Sequence, residues 1–79
     1  MTINVVLIRG NGLTITFQSH SWKDATARAV RAYDDTIYES EQYGFSPAQL
    51  CFMSDGSQLE QHTFQQMRDD LQHDRFPKS

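Results

Sequence analysis

Two apolar runs separated by Arg9-Gly10-Asn11-Gly12 constrain the fold of this chain more than any other feature. Ile3 to Ile8 is almost wholly apolar and β-branched, and Leu13-Thr14-Ile15-Thr16-Phe17-Gln18 alternates with the period of a strand that has one wet face. A three-residue loop, Gly10 to Gly12, with Gly12 left-handed as a bulge, puts Leu13, Ile15 and Phe17 on the face that carries Ile3, Val5 and Leu7. That register gives one continuous apolar face, which favours it over a two-residue Asn-Gly turn. Val6 and Ile8 make the first strand apolar on its other side as well, the mark of a central strand, while the half-polar second strand belongs at an edge. A third strand is then expected beside the first.

The next segment is helical. Ser21-Trp22-Lys23-Asp24 has Ser21 as N-cap and Asp24 placed to reach back to the free amides. Trp22, Ala25, Ala29, Ala32, Tyr33 and Ile37 repeat at three and four as a buried stripe, which can extend to Tyr43. Gly44 stops the helix and Ser46-Pro47 enforces the break. Ala48 to Ser54 reads as the third strand, closed by Asp55-Gly56, with Gln58 to Gln61 as a short optional fourth. Thr63 and Gln66 form a second capping pattern before Phe64, Met67 and Leu71, which line one face of a helix ending near His73; residues 75–79 are expected to fray. The result is one α+β domain over residues 1–79, a ββαβ(β)α chain with an antiparallel sheet of order 2-1-3, a long helix on one face and a short C-terminal helix. What covers the sheet's second face, where Val6 and Ile8 point, depends on whether the last helix or a partner packs there.

Size limits what such a chain can do. At 79 residues it buries only about 60% of the surface it exposes when unfolded, yet 38% apolar and 11% aromatic residues suffice for one core. Small scaffolds lean on disulfides, metals or oligomerisation, and a single cysteine removes the first. Cys51, inside Leu50-Cys51-Phe52-Met53, reads as a buried small hydrophobe in a reducing compartment. No basic segment precedes an apolar stretch of signal-peptide length, and no run approaches the roughly 20 apolar residues that span a bilayer, so cytoplasmic residence and no membrane are expected. A net charge of −3 argues against direct nucleic-acid binding and for a protein partner.

Catalysis lacks a recognisable constellation. His20, His62 and His73 fall in different elements, none spaced with Cys51 or a carboxylate as a zinc site requires, so neither metal nor cofactor is expected. The serines stand at caps and turns, and Gly10-Asn11-Gly12 joins two strands instead of opening a helix as a phosphate loop does. An enzyme is the class least supported.

Charge placement says more. The long helix has Lys23, Arg28 and Arg31 in its first half and Asp34, Asp35, Glu39 and Glu41 in its second, mostly against the helix dipole. The bland account is a solvated face with pairs such as Arg31–Asp35. The functional account is an acidic surface of Asp34, Asp35, Glu39 and Glu41, extended by Asp69, Asp70 and Asp74, that engages Lys/Arg surfaces which otherwise hold nucleic acid. Tyr38 and Tyr43 are candidate interface anchors, whereas Trp22, Tyr33 and Phe52 are assigned to the core. Arg9, Arg28 and Arg31 could instead form a small basic spot for nucleic acid.

In length, acidity, the opening strand Ile3-Asn4-Val5-Val6-Leu7-Ile8, the short hairpin and the helix start Ser21-Trp22-Lys23-Asp24-Ala25-Thr26-Ala27-Arg28-Ala29, the chain resembles small phage-encoded inhibitors, particularly anti-CRISPR proteins. The resemblance implies a non-catalytic inhibitor, acting in the host cytoplasm, that binds a CRISPR effector complex and blocks DNA access or a needed conformational change. No position matches a defined family motif, so no site residue comes from it. The expected partner-binding residues are Asp34, Asp35, Tyr38, Glu39, Glu41, Asp69 and Asp70. The alternatives are a homodimeric structural or regulatory module and an accessory nucleic-acid-binding protein.

Overall fold

A computed structural model describes residues 1–76 as two layers, a four-stranded sheet and two helices on one of its faces. The order of elements is β1 (Ile3–Arg9), β2 (Thr14–Ser19), α1 (Trp22–Tyr43), β3 (Ala48–Ser54), β4 (Leu59–His62) and α2 (Phe64–His73). The sheet is antiparallel with order β2-β1-β3-β4, so the expected 2-1-3 core of the sheet is present and the optional fourth strand forms one residue later than expected. The expected fraying of the tail falls partly on residues 77–79, which lie outside the described residues.

The hairpin follows from its glycines. Gly12 donates to the Arg9 carbonyl at 2.9 Å, Arg9 donates to the Leu13 carbonyl at 2.8 Å, and Gly12 sits at φ 88°, where a Cβ would be strained. This three-residue loop sets Val5 opposite Phe17 and Leu7 opposite Ile15, the register that unites both strands' apolar residues. Leu13 departs from expectation: it lies at the hairpin mouth, outside β2, and is exposed.

Both helices begin with the expected caps. Ser21 Oγ accepts from the Asp24 amide at 3.0 Å and Thr63 Oγ1 from the Gln66 amide at 3.1 Å. Gly44, at φ 74°, closes α1 by donating to the Ser40 carbonyl. The buried stripe of α1 is Trp22, Ala25, Thr26, Ala29, Val30 and Thr36, which pack with Ile3, Val5, Leu7, Cys51, Met53, Phe64 and Met67. Ala32, Tyr33 and Ile37 are only partly buried, and Tyr43 is exposed where the helix runs on past Thr36, its last buried residue. Stacking of Tyr33 on Phe64, with ring centroids 4.0 Å apart, holds α2 beside α1 and on the same side of the sheet.

Thr36 does a job that hydrophobic patterning misses. Its Oγ1 donates to the Tyr33 carbonyl at 2.7 Å and accepts from the Ala48 amide at 2.9 Å, supplying a partner for the first amide of β3. Thr36→Val keeps the shape but leaves that buried amide unpaired, at an expected cost of about 1–3 kcal/mol. Thr36→Ser keeps the hydroxyl, so urea denaturation is expected to show it clearly less damaging; equal losses in the two variants would refute the role.

With both helices on one side, the other face of the sheet is bare of any helix among the described residues. Its outward positions, by register, are Asn4, Val6 and Ile8 on β1, Thr14, Thr16 and Gln18 on β2, Leu50, Phe52 and Ser54 on β3, and Leu59 and Gln61 on β4. The bond from Gln18 Nε2 to Asn4 Oδ1, 2.9 Å, crosses this face. Phe52, assigned to the core from its neighbours in sequence, faces outward because Cys51 and Met53 take the inward positions of a strand whose side chains alternate.

Candidate functional site

Arg9 organises one end of the molecule. It is the last residue of β1, where the pairing with β3 slips by a bulge, and its side chain is 13% exposed. Nε donates to the Ser46 carbonyl at 2.7 Å and Nη2 stands 3.0 Å from Glu39 Oε2, while the next amide, Gly10, donates to the Pro47 carbonyl at 3.0 Å. These ties gather the hairpin tip, the end of α1 and the segment 44–47. Leu13, Tyr38, Tyr43, Phe45 and Leu50 all belong to this end, five of the seven large apolar side chains exposed among the described residues. Met1 and Leu59 lie at the opposite end of the sheet, where β4 begins beside Ser54 and Asn4. The Tyr43 and Phe45 rings lean on each other at 5.9 Å.

Acidic side chains surround Tyr38. The three-and-four spacing of a helix brings Asp34, Asp35 and Glu41 next to it on the outer side of α1, and the last turn of α1 has no basic residue to offset the negative end of the helix dipole. Asp34 is paired with Arg68 of α2 and Glu39 with Arg9. Asp35 and Glu41 are exposed and form no ion pair among the described residues, so the expected Arg31–Asp35 pair does not form. Arg68 also lies 5.7 Å from the Tyr33 ring.

Asp69 and Asp70 stand on α2. α2 runs antiparallel to the first half of α1, its ends marked by the Tyr33–Phe64 stack and a 3.0 Å pair of Lys23 with Asp74. Asp69 pairs with Arg75 and stands 3.4 Å from His73 Nε2, and Asp70 accepts from Gln66 at 2.9 Å. The seven expected residues divide into five on α1 and two on α2, and Arg68, next to Asp69, reaches across to Asp34. Asp74, paired with Lys23, does not join the Tyr38 end, because about 24 Å of helix rise separates Lys23 from Glu39. The basic spot does not assemble either: Arg9 is bound into the hairpin end, whereas Arg28 lies over the Phe17 ring at 4.4 Å and donates to the Gln18 carbonyl at 2.8 Å, at the far end of the hairpin.

Trp22, Thr26, Glu60, His62, Asp70, Arg75 and Phe76 border a cleft of about 160 Å³. Glu60 Oε1 is 3.2 Å from His62 Nε2, and the Trp22 and His62 rings stand 6.3 Å apart. The volume is below the roughly 300 Å³ at which small-molecule sites begin. A larger depression, about 490 Å³, runs open along the polar outer side of α2 past Gln66, Arg68 and Asp69. Among the described residues, no three of His, Cys, Asp and Glu converge to hold a metal ion, and no helix is long and apolar enough to cross a membrane. Cys51 is fully buried and burial pushes its thiol up to about 12.

Tyr38, Tyr43 and the acidic half of α1 are the sequence's own candidates; Leu13 and Phe45, exposed at the same end of the molecule, are not among them. Phe45 carried a readable signal, an aromatic residue between a helix-stopping glycine and Ser46-Pro47, where no element can bury it. No family model, curated protein or solved structure matches this chain.

Proposed function

We propose that this chain is a non-catalytic inhibitor that docks its Tyr38 end onto a basic surface of a protein partner. The observation that carries the reading is the gathering of Leu13, Tyr38, Tyr43 and Phe45 at one end, beside Asp35 and Glu41, whose carboxylates form no ion pair among the described residues. Tyrosine is the side chain that most often anchors interfaces, because it covers a large area while keeping a polar tip. Carboxylates around such anchors speed association with a positive surface and set its orientation. Surfaces that bind nucleic acid are positive for the sake of the phosphates, so a nucleoprotein is the fitting class of target. A CRISPR effector, the partner implied by the resemblance to anti-CRISPR proteins, belongs to that class.

The test is affinity isolation with the tagged chain from a CRISPR-bearing bacterial lysate, followed by affinity measurements on the purified partner. Asp35→Lys with Glu41→Lys is expected to weaken binding by at least about tenfold at low salt, and by less at high salt, as screened charges require. Tyr38→Ala is expected to weaken it at both. Equal affinity in the wild-type and doubly reversed chains would rule out docking through this end.

A further inference from the structure

We propose that the bare face of the sheet is a homodimer interface, with two copies stacked sheet on sheet and their helices outward. Charge is the first argument. Asp, Glu, Lys and Arg make up 22% of the chain, yet none occupies any of the eleven outward positions of this face. The solvated side of an antiparallel sheet is ordinarily polar, and edge strands commonly carry charge to prevent association. Here Val6, Ile8, Leu50 and Phe52 form an apolar centre across the two inner strands, with uncharged Thr, Asn, Gln and Ser side chains around it. Loss of charge at the centre of a patch is the compositional mark of an interface.

The same distribution selects the occupant. A partner of either charge would find nothing on this face to pair with, whereas a second copy offers a matching neutral face and needs only a twofold axis. The carboxylates lie in the helical layer, in the β3–β4 turn and on the inward side of β4. At about 10 Å per layer, stacking holds the two helical layers roughly 25–30 Å apart, about three screening lengths at physiological salt. Two chains of net charge −3 can therefore meet through this face with little repulsion.

Size sets the strength. Four strands about 4.8 Å apart, six residues long at about 3.4 Å each, present roughly 400 Å² of projected area per copy. Side-chain relief brings the total to roughly 1,000 Å², at the small end of specific interfaces, which fits a reversible dimer. It does not depend on the docking proposed for the Tyr38 end.

Sedimentation equilibrium of the full chain across the micromolar range, at low and high salt, tests it. The wild-type chain is expected to dimerise with little change on adding salt. Phe52→Glu and, separately, Leu50→Lys at a position already 39% exposed are each expected to weaken the dimer by at least about tenfold. Leu50→Lys keeps the test open if Phe52→Glu fails to fold, and circular dichroism shows which has folded. Tyr38→Ala with Tyr43→Ala is expected to dimerise as the wild type does. A wild-type chain that stays monomeric throughout would overturn the proposal, as would a dimer that survives Leu50→Lys or one abolished by the tyrosine changes.

Discussion

Met67→Ala is expected to destabilise the protein by about 2–5 kcal/mol, the range for removing a large side chain from a packed core. Met67 is fully buried and projects from α2 into the cluster that holds Val5, Leu7 and Met53. A domain of this length has a total stability of roughly 4–12 kcal/mol, so the variant loses a large share of it and its urea midpoint drops accordingly. Leu59→Ala is the control. Leu59 is 65% exposed on the outward face, and its truncation, measured at a concentration where the chain is monomeric, is expected to stay within about 0.5 kcal/mol. The contrast tests the side of the sheet on which α2 packs. If α2 merely rested on the surface, the two variants would differ little, and the assignment of Phe64 and Met67 to the core would be wrong.

That assignment also marks where reading the sequence stopped. The hairpin register, both N-caps and the Gly44 stop were legible because each is decided within about five residues: a glycine that must adopt positive φ, a hydroxyl three residues before an amide. The strand order was legible because β1 is apolar on both faces and so had to be central. The placement of α2 was not, since Phe64, Met67 and Leu71 fit an apolar surface on either side of the sheet equally well. Only the packing of Tyr33 against Phe64 and of Met67 into the core distinguishes the two. Phe52 was misassigned for a related reason: in the run Leu50-Cys51-Phe52-Met53 hydrophobicity is uniform, so the parity of inward and outward positions cannot be read from it.

The candidate site divides in the same way. The acidic half of α1 and its two tyrosines are contiguous in sequence and were visible as a local departure from what the helix dipole favours. Their electrostatic state was not, because the neutralising partners are distant in the chain: Arg68 lies 34 residues from Asp34, and Arg9 meets Glu39 only through the hairpin end. Those pairs narrow the acidic surface from four free carboxylates on α1 to Asp35 and Glu41. Charge reversal at Asp34 or Glu39 would therefore mix lost binding with a broken tertiary contact, and the binding test is cleaner without them.

Alkaline pH is expected to destabilise the native state through Cys51. The thiol is 0% exposed, and burial raises its pKa from 9.0 to about 12 because the thiolate is poorly solvated there. In the unfolded chain the thiol titrates near its ordinary value, so above pH 9.0 the unfolded state gives up a proton that the native state retains. The folded pKa is the higher one. Stability is thus whole below about pH 9 and falls as pH rises toward 12, by about 1.4 kcal/mol per unit from this group alone. Over the whole window the loss approaches about 4 kcal/mol, comparable with the stability of the domain. To isolate this group, the measurement is a comparison of urea unfolding between the wild type and Cys51→Ala from pH 8 to pH 11 or the onset of unfolding. Cys51→Ala leaves a small cavity whose cost does not vary with pH, whereas the thiol's contribution does. The stability of the wild type relative to Cys51→Ala is therefore expected to decline steadily above pH 9, and parallel curves would show that the thiol ionises as readily in the folded protein as in the unfolded one. Alkylation gives a second readout: a thiol held protonated and out of contact with solvent is expected to react only as fast as the chain unfolds, and rapid labelling of the native protein at pH 8 would contradict its burial.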